Sequence, residues 1–360
     1  MENFVDLYTD YLISSTSLTT ATGLSRLLEG EVSHDKITRS LSSGDYDSKY
    51  LWRTVKPMMA EICSSGDLVI LSFDDSIEEK LYTDESELVC WHYDHTVGRS
   101  VRGVQFLTAL VNTKGMSLPC AVEFVRKDRW EEDQKTGKRK RKGSKTKNEL
   151  YREMLLHCNR NLNIDYVVND SWYSSTENMR LVKGGMDTDF VMALKGNRKV
   201  SLSQADKNEK KYVGIGSLGE EQEPVEIWLE DLDFPLLLTK QVFKDGDDAV
   251  GELYLVCSGL NLSYGQITAI YQRRWSVEVY HKSVKSNASF ARSPTKTIKT
   301  QMNHFMLSIL AYVKLEWLQI RNGMNHFAMK AQIYLAALKA ASKELSRLST
   351  SSNPESAFYS

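Results

Sequence analysis

LVILSFDDS, residues 68–76, sets five apolar side chains and a serine directly before two consecutive aspartates. A short unbroken apolar run reads as a strand buried on both faces, and here it predicts a strand ending at Asp74-Asp75. A carboxylate at a strand end points into loop-lined space, where function gathers. Asp is also a common strand terminator, so position alone does not single these two out. Successive strand residues face opposite sides, so only one of the pair can serve a given site.

The same grammar continues downstream. Val104–Val111 and Pro119–Val125 read as strands, punctuated by Gly103 and by Asn112-Thr113-Lys114-Gly115. A helix is predicted over Asn148–Cys158, then a strand over Ile164–Val168 that runs out at Asn169-Asp170, and another over Phe190–Leu194. Strands first, then strand and helix in alternation, predict a mixed α/β sheet. Val225–Leu229, Leu236–Phe243 and Glu252–Val256 revert to strands separated by Pro235 and Asp245-Gly246-Asp247, and read as a β-rich insertion. Both ends are helical. Leu24, Leu27 and Leu28 mark one short helix; Ser33 caps a second from His34 to Leu41, with Ile37 and Leu41 inward and Lys36 and Arg39 outward. Two short helices around a Gly-containing turn suit a helix-turn-helix or an ordinary helical hairpin. Met302–Leu318 and Ala328–Leu348 read as core-facing helices, followed by a polar tail. The expected organisation is a helical segment at 1–62, a core at 63–200, the insertion at 201–262, the rest of the core at 263–300, and a helical region at 301–360.

Composition sets the outer limits. The 360 residues are 41% hydrophobic and 26% charged, which excludes wholesale disorder. No apolar run reaches the 18 or so residues of a membrane span, and the acidic N-terminus is unlike a signal peptide. Five scattered cysteines form no C-x-x-C, so the default compartment is reducing and cytoplasmic. The net charge of −1 conceals strong segregation. Residues 220–260 hold 11 acids against 2 lysines, whereas 261–360 hold 13 Lys and Arg against 4 acids. Eight Lys or Arg and no acid lie between Lys135 and Lys147. Such blocks form solvated loops, or surfaces that bind phosphate.

YQRRWSVEVYHKSVK, residues 271–285, is the second decisive stretch. Read as one helix, it places Tyr271, Arg274, Glu278 and Lys285 within an arc of about 60° along roughly 21 Å. An i,i+4 Arg–Glu pair on a solvated face explains two of these groups. The order Y-x2-R-x3-E-x6-K resembles the YREK signature of bacterial insertion-sequence transposases, which belong to the DDE transposases. The resemblance covers roughly residues 67–290 and implies an RNase H-like mixed-sheet core with a β-rich insertion before the last acid. Asp74-Asp75-Ser76 fits the D-x-[ST] register with Asp74 as ligand and Asp75 as the alternative; Asp170 follows 96 positions later and Glu278 a further 108.

By that resemblance, Asp74, Asp170 and Glu278 hold Mg²⁺ or Mn²⁺, with two ions roughly 4 Å apart serving an in-line displacement at phosphorus. Hard oxygen ligands suit those cations. The implied activity is cleavage at the inverted repeats of a mobile element and joining of the ends to target DNA, by a homodimer assembled on double-stranded DNA near the nucleoid. Tyr271, Arg274, Lys285, Arg273 and Lys282 would position phosphates, joined by the basic run Lys138, Arg139, Lys140, Arg141 and Lys142. Trp275 and Trp172 are candidates for stacking on an unpaired base or for core packing. The rivals are a metal-dependent nuclease that does not join, and a DNA-binding repressor that has lost catalysis. His92-Tyr93-Asp94-His95 is no metal site on a strand, because residues three apart face opposite sides. Gly214-x-Gly216-x-x-Gly219 precedes acids and no helix, and is set aside.

Overall fold

The longest sheet is built around the apolar run of residues 68–73. In a computed structural model that describes residues 4–64, 66–132, 134, 137–218, 223–245 and 248–351, the strands are β1 (Ile70–Glu79), β2 (Cys90–Asp94), β3 (Arg99–Thr113), β4 (Met116–Phe124), the hairpin β5 (Arg129–Glu132) and β6 (Arg139–Lys142), β7 (Tyr166–Asn169), β8 (Asp189–Leu194), the short pair β9 (Lys199–Val200) and β10 (Val213–Gly214), then β11 (Val225–Ile227), β12 (Leu236–Asp245) and β13 (Asp248–Cys257). The helices are α1 (Phe4–Ser14), α2 (Ala21–Leu27), α3 (His34–Ser43), α4 (Ser48–Cys63), α5 (Lys147–Asn159), α6 (Thr176–Arg180), α7 (Gln204–Asn208), α8 (Tyr264–Gln272), α9 (Trp275–Asn287), α10 (Ile298–Asn322) and α11 (His326–Ser351). The polar tail from 352, the middle of the Asp245–Asp247 turn, Lys135 and Gly219 lie outside the described residues.

The strand order is β11-β12-β13-β8-β7-β1-β3-β2, with β4 also paired to β3. Within it, β4-β3-β1 are antiparallel and β1-β7-β8 are parallel, the arrangement of an RNase H-like core. The strand block at 225–257 adds to this same sheet, because β13 pairs antiparallel with β8 from Tyr254↔Leu194 to Cys257↔Val191. Ile70, Leu71 and Phe73 of β1 are buried along with Val167 and Val168 of β7, as a strand covered on both faces requires.

One expectation about β1 needs correction. The strand does not end at Asp74-Asp75 but runs on to Glu79, because β3 pairs with it continuously from Ile70↔Asn112 to Glu79↔Gly103. Its parallel partner β7 stops at Phe73↔Asn169, so the aspartates lie where support on that side ends.

The chain divides into two compact units, Asp45–His281 and Met1–Gly44 with Lys282–Ser360. Helix α4 belongs to the larger one: it buries Leu51, Trp52, Val55, Met59 and Ile62, and Ser48 Oγ accepts a 3.1 Å hydrogen bond from Val122 N of β4. In the smaller unit Thr20 and Ser33 cap α2 and α3. Ile37 and Leu41 point inward as expected, whereas Leu27 is exposed. Asn303 Nδ2 of α10 donates to the Leu41 and Gly44 carbonyls at 2.7 and 2.8 Å, satisfying the end of α3. Helix α10 is core-facing, but α11 is not: Tyr334, Leu335, Leu338, Leu345 and Leu348 are about half exposed or more.

His92 sits on the inward face of β2 with its Nε2 3.2 Å from Cys90 Sγ, so it is a core residue and not a ligand. Burial, followed by the charge of Lys127, pushes its imidazole down to about 4. Protonation therefore favours the unfolded chain: this contribution is intact above the unfolded value near 6.5 and is lost as pH falls toward 4. Urea unfolding between about pH 7 and pH 5 should show stability dropping by up to about 1.4 kcal/mol per unit from this one proton. The His92→Gln variant should have a shallower slope; an unchanged slope would assign the acid sensitivity elsewhere.

Candidate active site

Asp74 and Asp170 each follow the last parallel pair of β1 and β7, Phe73↔Asn169. Neighbouring strands lie about 4.8 Å apart, so this register brings the two carboxyls to one sheet edge. Burial, then the charges of Asp170 and Asp75, push the Asp74 carboxyl up to about 7. Its Oδ1 accepts from Asp75 N at 2.8 Å. Asp170 is raised as well, chiefly by burial, although its Oδ1 accepts from Trp172 N at 3.0 Å.

The third acid arrives through a break in what the sequence suggested was one helix. Helix α8 ends at Gln272 and α9 starts at Trp275, joined by a tight turn in which Arg273 N donates to Ile270 O at 3.1 Å and Arg274 N to Tyr271 O at 2.9 Å. The single polar face spanning Tyr271 to Lys285 is therefore not formed. Tyr271 is buried among Ile70, Val168, Leu255 and Ile267, and burial raises its phenol to about 12. It is a core residue on which the Arg274 guanidinium rests, 5.7 Å from the ring centre. Arg274 in turn donates to Glu278 Oε1 at 2.6 Å and stands 3.8 Å from Asp74 Oδ2. Its Nε has no partner among the described residues. The turn thus places one guanidinium between two of the three acids.

Asp75 faces other company. Its Oδ1 accepts from Lys147 Nζ at 2.9 Å and from Tyr173 Oη at 2.6 Å, and its Oδ2 from Gln105 Nε2 at 2.5 Å. With these bonds made, Asp75 reads as a structural anchor tying β1 to α5, β3 and the segment after β7. Sequence reasoning missed Lys147, Tyr173 and Gln105, which lie 72, 98 and 30 residues away and carry no local signal of the link.

Trp172 is 42% exposed, with Lys147 Nζ 4.3 Å and Lys195 Nζ 5.9 Å from its ring centre. Beside it opens a cleft of about 530 Å³ lined by Ser174, Lys195, Arg198, Lys199 and Asp231 among others. Trp275 is 62% exposed and Arg273 is exposed too. Lys282 and Lys285 lie beyond His281, in the smaller unit, where Lys282 Nζ stands 5.4 Å from the Phe327 ring centre. The basic run is partly the hairpin strand β6 and not only a loop. Its charges are not all available: Arg141 pairs with Glu85 at 3.3 Å and Lys142 with Glu131 at 3.0 Å, while Arg139 and Arg141 stack on Trp130. Lys138 and Lys140 lie on the same exposed hairpin arm.

Among the described residues, no group of three His, Cys, Asp or Glu is gathered as a metal cluster. The donor chemistry nonetheless fits a hard divalent cation. Asp74 and Asp170 crowd one another, and the guanidinium 3.8 Å from Asp74 is shared with Glu278.

The family described as "DDE superfamily endonuclease" matches residues 2–216, and that described as "Transposase DDE domain" matches residues 136–314. No curated protein matches the chain. Among solved structures, a chain of the Drosophila P element transposase strand transfer complex is 13% identical, with a TM-score of 0.28, over 51% of this chain and 36% of that one. This chain therefore spans about a third of that relative. Among the described residues no helix is long and apolar enough to cross a membrane.

Proposed function

Because the chain belongs to the DDE superfamily endonucleases, we propose that it is a transposase of the YREK subgroup, cutting DNA at the inverted repeats of its element and joining the ends to target DNA. The observation that carries this reading is the placing of Asp74 and Asp170 side by side just past the last pair of the β1–β7 ladder, Phe73↔Asn169, with Arg274 between Asp74 and Glu278. Asp74, Asp170 and Glu278 would hold Mg²⁺ or Mn²⁺, two ions in the full site. When bound, such ions stabilise charge on the attacking and leaving oxygens of an in-line displacement.

The protein's own groups do the rest. Arg274 offsets the repulsion of the acids and keeps Glu278 beside the strand-end carboxyls. Trp172 offers an exposed ring beside Asp170, with Lys195 and Arg198 available for phosphates along the adjoining cleft. In the larger unit Arg273 and the arm Lys138–Lys142 would add contacts to phosphates and Trp275 a second ring for stacking; in the smaller unit Lys282 and Lys285 would also contact phosphates, and α2 and α3 would supply a candidate DNA-reading hairpin. A homodimer on DNA would bring two element ends together.

The test uses a labelled duplex carrying the boundary of the flanking element, with Mg²⁺ or EDTA. Cleavage at the boundary in Mg²⁺ alone, followed by joining to a target plasmid, is the expected result. Cleavage without joining would make the protein a nuclease, and binding without cleavage in either Mg²⁺ or Mn²⁺ would make it a repressor. Metal binding has its own readout: millimolar Mn²⁺ should raise the melting temperature of the parent and leave that of Asp170→Asn unmoved.

A further inference from the structure

We infer that the outward face of β2 is a track for an unpaired DNA strand leading away from the Asp74–Asp170 site. The inference rests on the DNA-processing reading above but uses a surface that reading leaves unexplained. Strand β2 ends the sheet order. Its inward positions, Cys90 and His92, are buried, whereas Trp91 is 52% and Tyr93 56% exposed. Edge strands ordinarily carry charge or proline on their open face, and two large rings at i and i+2 are the opposite.

The rings do not stand alone. Tyr93 lies 4.9 Å from the His95 ring in an edge-on contact, and His95 lies 5.6 Å from Trp172. Trp172 follows Asp170 by two residues and has Lys147 and Lys195 over its face. Trp91, Tyr93, His95 and Trp172 thus make a chain of rings that ends at the residue whose backbone N–H donates to the Asp170 carboxylate. Along β3, Trp91 is level with Arg102 and Tyr93 with Ser100, six and eight residues from Thr108, the residue level with Asp74.

Cations are interleaved with the rings. Arg102 lies directly across the ladder from Trp91 on the same face, its Nη2 donating to the Leu81 carbonyl and its buried Nε without a partner among the described residues. The Lys127 ammonium sits at the Trp91 carbonyl. The nearest acid on the strand, Asp94, is occupied by Thr96 N at 2.8 Å. Aromatic faces alternating with cations match a strand whose bases are unstacked and whose phosphates run alongside. Paired bases in a duplex have no free faces to offer such rings.

The closing experiment is done in EDTA, so that no strand is cut. Fluorescence anisotropy compares the parent with the double variant Trp91→Ala/Tyr93→Ala on a short labelled oligothymidylate and on a labelled duplex of the element end. The expected result is binding of oligothymidylate weakened by about 10-fold or more, with duplex affinity within about 2-fold and an unchanged melting temperature. Oligothymidylate should also quench tryptophan fluorescence in the parent, and less so in Trp91→Phe. Equal oligothymidylate affinity in parent and double variant, or equal loss on both probes, would overturn the track. A parent that binds duplex but not oligothymidylate would overturn it too and leave the transposase reading standing. A parent that binds neither probe would remove both.

Discussion

Asp74→Asn, Asp170→Asn and Glu278→Gln are each expected to reduce metal-dependent cleavage of an element-end duplex by about 10³-fold or more, while duplex binding stays within about 3-fold. Each substitution keeps size and removes one charged oxygen donor, so it removes several kcal/mol of charge stabilisation at phosphorus without disturbing packing. The same variants should separate by stability. Asp74 is crowded by Asp170 and Asp75 in a mostly buried site, so in EDTA Asp74→Asn should melt no lower than the parent. A side chain that holds the fold would show the reverse. Retained cleavage in Asp74→Asn would take that residue out of the mechanism, whatever its position on β1.

Much of this arrangement was legible in the sequence because it is written in short-range pattern. The buried β1 and β7 and the capped α3 rest on local rules of burial period and capping, whereas the acids at 74, 170 and 278 were singled out by a residue order that resembles a transposase signature. What could not be read was set by pairing between distant segments. The apolar run stops at Phe73, yet β1 continues to Glu79 because β3 remains beside it. The 225–257 strands read as a β-rich insertion, and only the pairing of β13 with β8 shows that they extend the main sheet. The helix predicted across 271–285 fails for a subtler reason. No glycine or proline interrupts it, and only the packing of Tyr271 into the core and of Arg274 toward two acids shows why the chain tightens between them. The basic run misleads in the other direction: as sequence it is eight charges, while in the fold Arg141 and Lys142 are paired with acids from Glu85 and Glu131.

Asp75→Ala is expected to cost stability where Asp74→Asn does not. The substitution leaves the Lys147 ammonium and the Tyr173 hydroxyl without the carboxylate each now holds, at 2.9 and 2.6 Å, and strips Gln105 of its acceptor. Removing one side of a largely buried ion pair costs about 3–5 kcal/mol, because the remaining charge stays desolvated. At roughly 2–4 °C per kcal/mol for a unit of this size, the melting temperature should fall by about 10 °C. The double variant Asp75→Ala/Lys147→Met should recover part of that loss, since the stranded ammonium is gone, and the recovered fraction measures the pair's coupling. Any loss of cleavage in Asp75→Ala should then follow the folded fraction and lessen on cooling, whereas that of Asp74→Asn should persist at every temperature. The register of the first acid is decided by this contrast. If Asp75→Ala melts with the parent and is inert in cleavage while Asp74→Asn remains active, the two neighbours have exchanged roles, and the bonds from Lys147, Tyr173 and Gln105 would be those of a catalytic carboxylate held in place.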